Sequence, residues 1–222
     1  MIFADRQDAG ARLAEKLLRF RGCDPVVMAL PRGGVPVAFE IARALDAPLD
    51  LVLVRKIGAP DQPELAVGAV VDGEHTEIVT NEELVAELGL TPAWLREHAA
   101  REIREIERRR RLYTAGRARV AIQGKVAIVV DDGIATGATV RAALRAVRRR
   151  RPERLVLAVP VAPADTLESL RGEVDEVTCI ATPWPFRAIG CFYRDFAQVG
   201  DDEVRELLAR AAAPKPQVAA DA

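Results

Sequence analysis

Hydrophobic positions along this chain follow two patterns that succeed one another. One is a short run of apolar residues, and the other is a longer stretch with an apolar residue at every third or fourth position. The short runs predict buried strands over residues 26–30, 49–57, 126–130, 155–161 and 174–181. The longer stretches predict helices over residues 8–20, 35–45, 138–150, 164–170 and from 201 onward. Because strands that alternate with helices form parallel sheets, we expect an α/β fold with a Rossmann-like parallel sheet and helices on both faces.

The middle of the chain departs from this alternation. Two apolar runs, 65–71 and 76–80, flank Asp72-Gly73-Glu74 and predict a β-hairpin. A long helix should follow, since Thr91 and Pro92 are typical of an N-cap and a first helical residue. Its apolar stripe consists of Leu95, Ala99, Ile103 and Ile106.

These segments indicate how the chain is organised. The hairpin and the long helix form an insertion, residues 58–120, within a single domain of residues 1–212. The insertion either covers a ligand cleft or forms the contact of a homodimer. Glycine, proline and charged residues in the segment 58–66 favour a mobile lid that orders when a ligand binds. Residues 213–222 should form a disordered tail.

Residues 127–139, AIVVDDGIATGAT, carry the clearest chemical pattern. A buried strand ends in Asp131 and Asp132, and a helix follows the next loop. That loop consists of Gly133, Ile134, Ala135, Thr136, Gly137, Ala138 and Thr139. A loop that leaves a strand and opens a helix directs several N–H groups the same way, which favours an anion. The pattern predicts a ligand with a phosphate, a diol and a divalent cation.

Other interpretations of this stretch are weaker. A Walker B strand also ends in acids, but its partner motif G-x-x-x-x-G-K-[ST] does not occur in the sequence, and neither does G-x-G-x-x-G. The remaining alternative is structural, with Asp-Asp-Gly as a simple turn and Thr139 as an N-cap.

The stretch resembles the phosphoribosyl-pyrophosphate (PRPP) signature of the type I phosphoribosyltransferase family at all thirteen positions. The wider resemblance covers residues of about 25–60 and 120–185. It implies a type I fold and a Mg²⁺-dependent glycosyltransferase (a pentosyltransferase) of nucleotide metabolism. Such an enzyme transfers the 5-phosphoribosyl group of PRPP to a nitrogenous acceptor and releases pyrophosphate. Asp131 and Asp132 would be catalytic and hold the ribose hydroxyls, while loop 133–139 would bind the 5-phosphate. Mg²⁺ would be held through PRPP near the two acids, without a direct protein ligand.

The resemblance also implies a pyrophosphate site. The loop Leu-Pro-Arg-Gly-Gly at 30–34 follows the first core strand, where the family binds pyrophosphate, so Arg32 and Gly33 are candidates and a cis peptide is expected at Pro31-Arg32 or Arg32-Gly33. Arg55 and Lys56, at the end of the second predicted strand, resemble an Arg-Lys pair that some members use there. The alternatives are a tight turn with a surface arginine and an ordinary solvated strand end.

After the last strand, residues 182–200 correspond to the small hood that receives the acceptor in the family. Trp184 and Phe186 could stack on a planar acceptor there. The alternative is that both are core aromatics that close the domain. Because the carboxyl ends of parallel strands meet at one edge, four loops should converge on one cleft. They begin near Pro31, Gly58, Asp131 and Thr182.

The composition of the chain limits the classes of partner that we expect. A net charge of −1 gives no argument for nucleic-acid binding, and the run Arg108 to Arg111 sits on a predicted helix that is interleaved with glutamates, as a solvated face would be. No apolar run is long enough for a membrane span and the amino terminus lacks a signal pattern, so we expect a cytoplasmic protein without membrane or nucleic-acid partners. Three cysteines without a C-x-x-C spacing agree with a reducing compartment.

Two functional hypotheses remain, together with a weaker third. The first is the transferase, with PRPP and a small nitrogenous acceptor as its partners. The second is a PRPP-sensing regulator with the same fold and little or no transfer, which the missing helix-turn-helix signature disfavours. An interaction module would leave the acid pair and the phosphate loop without a role.

Overall fold

The computed structural model describes residues 2–72 and 77–212. They form eight strands: β1 (Pro25–Ala29), β2 (Leu49–Leu51), β3 (Val54–Ala59), β4 (Gln62–Val71), β5 (Glu77–Thr80), β6 (Val126–Val130), β7 (Arg154–Val161) and β8 (Glu176–Ala181). Five of them make a parallel sheet in the order β2-β1-β6-β7-β8, and β3, β4 and β5 make a second, antiparallel sheet. The parallel sheet that the alternation predicts is therefore confirmed.

Helices cover both faces of the parallel sheet. They are α1 (Arg6–Leu17), α2 (Gly34–Leu45), α3 (Glu82–Glu87), α4 (Pro92–Thr114), α5 (Ala138–Arg149), α6 (Ala164–Leu170) and α7 (Asp201–Ala212). Along β1, Val27 and Ala29 belong to the apolar cluster with α1, α2 and α7, while Val26 and Met28 belong to the cluster with α5 and α6. Successive side chains of a strand point to opposite faces, so both faces of β1 are buried. No described helix is long and apolar enough to span a membrane.

The second predicted strand, 49–57, is wrong as a single element. Of the predicted strand 49–57, only the part that forms β2 pairs with β1. The chain leaves the parallel sheet by Leu53, whose carbonyl accepts a hydrogen bond from the Asp72 amide (2.9 Å). Residues from Val54 onward belong to the antiparallel sheet. The apolar run gave no sign of this break because buried apolar residues lie on both sides of it, Leu51 and Leu53 before it and Ile57 after it. As a result, Arg55, Lys56 and Gly58 do not lie at the carboxyl end of a core strand.

The insertion is more regular than the sequence suggested. Strands β3 and β4 form an antiparallel hairpin that pairs Val54 with Val71 and Ala59 with Gln62, with register shifts on both sides of Gly58, so 58–66 forms the bulged end of a hairpin. The pairing of β4 with β5 confirms the second hairpin, although its turn at 73–76 lies outside the described residues. Helix α3 was not predicted. The predicted tail, 213–222, also lies outside the described residues.

The long helix α4 begins as predicted, since Thr91 Oγ1 accepts a hydrogen bond from the Trp94 amide (3.1 Å). Its stripe packs inward, with Ala99 and Ile106 fully buried. Near the other end of α4, Arg110 donates to Asp50 of β2 (3.1 Å) and to Asp72 (3.0 Å), and Arg119 also contacts Asp72. Both carboxylates are buried, and a buried charge is stable only when it is paired. This network attaches the insertion to the edge of the parallel sheet.

Candidate active site

The two adjacent acids lie at the carboxyl end of β6, between the ends of β1 and β7. The side chain of Asp132 is 11% exposed, and the Asp132 amide donates to Asp131 Oδ1 (2.9 Å). Within the described part of the chain, the oxygens Asp131 Oδ2 and Asp132 Oδ1 accept no hydrogen bond. Both are at least partly accessible to solvent, since no fully buried polar side-chain atom among the described residues is without a partner. Each carboxyl group therefore keeps one oxygen for a ligand.

The loop after β1 packs directly against this acid pair. A Cβ atom on Gly33 would lie 2.1 Å from Asp132 Oδ2, and one on Gly34 would lie 2.7 Å from the carbonyl oxygen of Val130. Only glycine fits at such distances, which explains the Gly-Gly pair in chemical terms. The Pro31-Arg32 peptide bond is cis, as the sequence resemblance implied. Two of the four loops predicted to converge are thus in contact.

The loop after the acids ends in Gly137, in the left-handed region (φ 78°), and opens helix α5. The Ile134 amide is already bonded to the carbonyl of Val161 (2.9 Å), and the Ile134 side chain is buried. By contrast, the amides of 135–137 donate to no backbone acceptor within the described ranges, and the first turn of a helix leaves its amides without internal partners. The side chain of Thr136 is exposed and that of Thr139 half-buried. Residues 135–139 thus form a surface of unpaired donors, whereas Ile134 turns inward.

Arg6, the first residue of α1, reaches the acid pair, and sequence reasoning missed it. Its Nε donates to Asp132 Oδ2 (2.7 Å), its Nη1 to the carbonyl of Ala197 (2.8 Å), and its guanidinium lies 3.8 Å from the centre of the Phe196 ring. The Tyr193 hydroxyl donates to the Asp132 carbonyl (2.6 Å). The segment 190–196, GCFYRDF, showed no recognisable pattern in the sequence. A separation of 126 residues between Arg6 and Asp132 leaves no local signal.

Burial and mutual repulsion control the ionisation of the pair. Burial raises the pKa of Asp131 well above its ordinary value, and the neighbouring Asp132 raises it further. Burial also raises the pKa of Asp132, but the hydrogen bond and the charge of Arg6 lower that pKa in opposition. Since like charges at contact distance disfavour joint ionisation, the pair holds a proton more readily than two exposed acids would.

The cations predicted for pyrophosphate have protein partners. Arg32 lies 3.6 Å from Asp201 at the start of α7, and the Tyr113 hydroxyl donates to the same carboxylate (2.7 Å). Burial and that hydrogen bond raise the pKa of Tyr113 to about 12. Arg55 is paired with Glu102 of α4 (2.7 Å). Of the four predicted pyrophosphate residues, Gly33 therefore adjoins the acid pair, whereas the side chains of Arg32 and Arg55 are directed to carboxylates elsewhere.

Lys56 belongs to a different part of the surface. It lines an 850 Å³ groove between the antiparallel sheet and α5, which also includes Thr136 of the phosphate loop. The groove therefore connects the insertion with the candidate phosphate loop. Lys56 thus shares a groove with Thr136, and not with the loop after β1 where pyrophosphate is expected.

The two candidate aromatics after β8 have different environments. Trp184 is 94% exposed. Phe186 stacks on Phe192 (ring centroids 5.3 Å apart) and packs against the small apolar cluster of Phe3 and Tyr193. The interpretation of both as core aromatics thus holds for Phe186 and is wrong for Trp184.

Comparison with known proteins gives a consistent family. A family model described as "Phosphoribosyl transferase domain" matches residues 3–194. Two curated proteins of Mycobacterium tuberculosis, from strains CDC 1551 and H37Rv, are provisionally named phosphoribosyl transferases; each is 47% identical over 210 residues, which is 95% of this chain and 47% of the relative. The chain therefore spans about half the length of these relatives. The crystal structure of TT1426 from Thermus thermophilus is 42% identical, with a TM-score of 0.84 over 96% of this chain and 100% of that one. This chain accordingly belongs to the phosphoribosyl transferase family and has its type I fold.

Proposed function

We propose that this protein transfers the 5-phosphoribosyl group of PRPP to a nitrogenous acceptor and releases pyrophosphate. The observation that carries the proposal is the pair of free carboxylate oxygens, Asp131 Oδ2 and Asp132 Oδ1, between a glycine loop and a loop of unpaired amides. Two adjacent acceptors suit the two hydroxyls of a ribose. The amides of 135–139, at the start of α5, suit the 5-phosphate because the helix dipole favours an anion there.

The leaving pyrophosphate would bind on the other side of the acid pair, at the loop after β1. Gly33 brings the backbone close to the acids, and Arg32 would turn from Asp201 toward the phosphates. That exchange costs little, since a half-exposed ion pair at 3.6 Å contributes about 0–1 kcal/mol. Arg32 could then bind two phosphate oxygens through its planar guanidinium. Arg55 and Lys56 are weaker candidates because they lie on the antiparallel sheet.

Magnesium fits this donor set. Carboxylate and phosphate oxygens are its preferred ligands, and it commonly keeps much of its coordination from the phosphates of its ligand. When bound, the ion would supply positive charge to the departing pyrophosphate. The role of Asp131 and Asp132 is to orient the ribose diol, so that the anomeric carbon is held between pyrophosphate and acceptor. As the resemblance of the sequence implies, the ion would be held chiefly through PRPP, near Asp131 and Asp132.

The acceptor would approach from the segment after β8. Trp184 offers an exposed aromatic face on which a planar nitrogen heterocycle can stack, while Phe186 supports the segment from below. As the acceptor attacks and pyrophosphate departs, positive charge develops on the ribose ring. A carboxylate next to that ring stabilises the charge in a poorly solvated site.

One assay tests the proposal. Pyrophosphate release is measured with PRPP, Mg²⁺ and a panel of purines, pyrimidines and small amides, on the wild type and on Asp131→Asn/Asp132→Asn. Release that depends on one acceptor and disappears in the variant is the expected result. A wild type that does not bind PRPP contradicts the proposal.

The alternative function, a PRPP sensor, has one observation in its favour. Both candidate pyrophosphate arginines, Arg32 and Arg55, are paired with carboxylates, so in this structure neither one stabilises a leaving pyrophosphate. Tight PRPP binding without pyrophosphate release across the whole panel would support this function over transfer.

A further inference from the structure

Arg6 stands out because its largely buried guanidinium is paired with one of the two proposed ribose-binding acids. Three groups hold its guanidinium, namely Asp132 Oδ2, the carbonyl of Ala197 and the Phe196 ring. The side chains of Arg6 and Asp132 are each only 11% exposed. Such a pair is far more constrained than a surface ion pair, and removing one partner leaves an uncompensated buried charge.

The contacts around Asp132 fix the direction of its carboxylate. Arg6 donates to Oδ2, and Gly33 lies so close to the same oxygen that an added Cβ atom would come within 2.1 Å of it. The Tyr193 hydroxyl holds the Asp132 carbonyl, which fixes the backbone as well. Only Oδ1 then remains for a ligand, beside the free Oδ2 of Asp131. The two free acceptors are separate atoms on separate residues, as two neighbouring hydroxyl donors require.

Arg6 is itself held by a clasp between two distant segments of the chain, which we define as residues 3–6 with 192–197. The Phe3 amide donates to the carbonyl of Phe192 (2.7 Å), and the amides of Arg194 and Asp195 donate to the carbonyls of Phe3 and Ala4 (2.9 Å each). The rings of Phe3 and Tyr193 also pack together. The clasp contains both the Arg6 side chain and two of its partners, Phe196 and Ala197. The geometry of the clasp therefore determines the position of the Arg6 guanidinium.

We infer that Arg6 is a positioning residue that makes the acid pair selective for a vicinal diol, so that the site distinguishes ribose from 2-deoxyribose phosphates. The inference rests on the proposed function, because it assigns the diol to the acid pair. Without Arg6, the Asp132 carboxylate can rotate and offer either oxygen, or take up a proton. A ligand with one hydroxyl would then bind nearly as well as a ligand with two.

The test compares three ligands that share a phosphate and differ in the diol, namely ribose 5-phosphate, 2-deoxyribose 5-phosphate and inorganic phosphate, and it also measures PRPP on the wild type. Their dissociation constants are measured by calorimetry for the wild type, Arg6→Gln, Arg6→Lys and Arg12→Gln. Arg12 is the matched control, since it lies on the same helix, pairs with Asp8 (2.9 Å) and faces the Phe3 ring, away from the acid pair. Inorganic phosphate reports on the phosphate loop alone.

We expect the wild type and Arg12→Gln to bind ribose 5-phosphate about tenfold more tightly than 2-deoxyribose 5-phosphate, the effect of one hydrogen bond to a charged group. In Arg6→Gln this ratio should fall to within about twofold of unity, while the affinity for inorganic phosphate stays unchanged. Arg6→Lys, which keeps the charge but not the fork-shaped donor, should retain an intermediate ratio. If Arg6→Gln does not fold, Arg6→Lys decides the matter alone.

Four results overturn the inference in distinguishable ways. An unchanged ratio in a folded Arg6→Gln protein shows that Arg6 does not set diol selectivity. A parallel loss of affinity for inorganic phosphate shows a merely structural role. A wild type that binds inorganic phosphate but neither sugar phosphate nor PRPP removes the proposed function together with the inference, whereas a wild type that binds PRPP without discriminating the two sugars removes the inference alone.

Discussion

The carboxyl end of the parallel sheet and strand β3 of the antiparallel sheet hold their charged groups in opposite ways. At the sheet end, Asp131 and Asp132 are fixed by a backbone hydrogen bond, a largely buried arginine and the close approach of Gly33. On β3, Arg55 and Lys56 project from the strand, and Arg55 is bound through a half-exposed ion pair to α4. Rigid placement costs free energy in desolvation, which a protein tolerates where a ligand must be oriented.

The comparison suggests different tasks for the two regions. A site that must orient a sugar benefits from side chains that cannot move, since small misplacements of reacting groups cost rate. A cover or a subunit contact needs only shape and exposed charge. Substitutions at the sheet end should therefore have large effects on ligand binding, and substitutions in the insertion should have small ones.

The largest effect is expected from Asp131→Asn/Asp132→Asn. Two hydrogen bonds to charged groups contribute roughly 3–6 kcal/mol together, so PRPP affinity should fall by more than about 100-fold. Calorimetry with Mg²⁺ measures the loss, and circular dichroism checks the fold. Asp202→Asn serves as the control, because that carboxylate is almost fully exposed on α7. Wild-type affinity in a folded double variant would separate the acid pair from PRPP binding.

A smaller but still large effect is expected from Gly33→Ala. The new Cβ would overlap Asp132 Oδ2, so either the loop or the carboxylate must shift, at a cost of about 1–3 kcal/mol in the free energy of unfolding. PRPP affinity should fall about tenfold or more. Thermal unfolding and calorimetry on the same samples measure both quantities.

Gly172→Ala provides the comparison for that variant, since nothing lies within 4 Å of its added methyl group. Its stability and its PRPP affinity should match the wild type. Equal behaviour of the two alanine variants would mean that the contact between the loop after β1 and the acid pair is not important for the ligand.

A modest effect of opposite sign is expected from Asp201→Asn. The change removes the charge that holds Arg32 while an amide oxygen can still accept the Tyr113 hydroxyl, so Arg32 becomes available for an anion. An exposed pair contributes about 0–1 kcal/mol, so pyrophosphate should bind up to about fivefold more tightly. Competition against PRPP measures this, with Asp202→Asn again as the control. Weaker pyrophosphate binding would place Arg32 outside the pyrophosphate site.

The same contrast between regions separates what the sequence could predict from what it could not. The strand, acid pair, loop and helix around Asp131 were predictable because each depends on neighbours within a few residues. Arg6 was not, because its partner is 126 residues away and nothing about an arginine at the start of a helix indicates a buried contact. The break between β2 and β3 was hidden for another reason, since Leu51, Leu53 and Ile57 are all buried and periodicity reports burial, not the identity of the sheet.

The smallest effect is expected in the hairpin of β3 and β4. The sequence favoured a mobile loop at 58–66, and the structure pairs Gly58 with Ala66 and Ala59 with Gln62 in an antiparallel ladder that shifts register at Gly58. Amides in such ladders exchange slowly when the sheet does not open. Hydrogen exchange should therefore show protection of the paired amides in 58–66 that is nearly equal in the free and the PRPP-bound protein. A large gain of protection on binding would instead show that this hairpin opens in the free state and closes over the ligand, which would assign the insertion a task much closer to that of the acid pair.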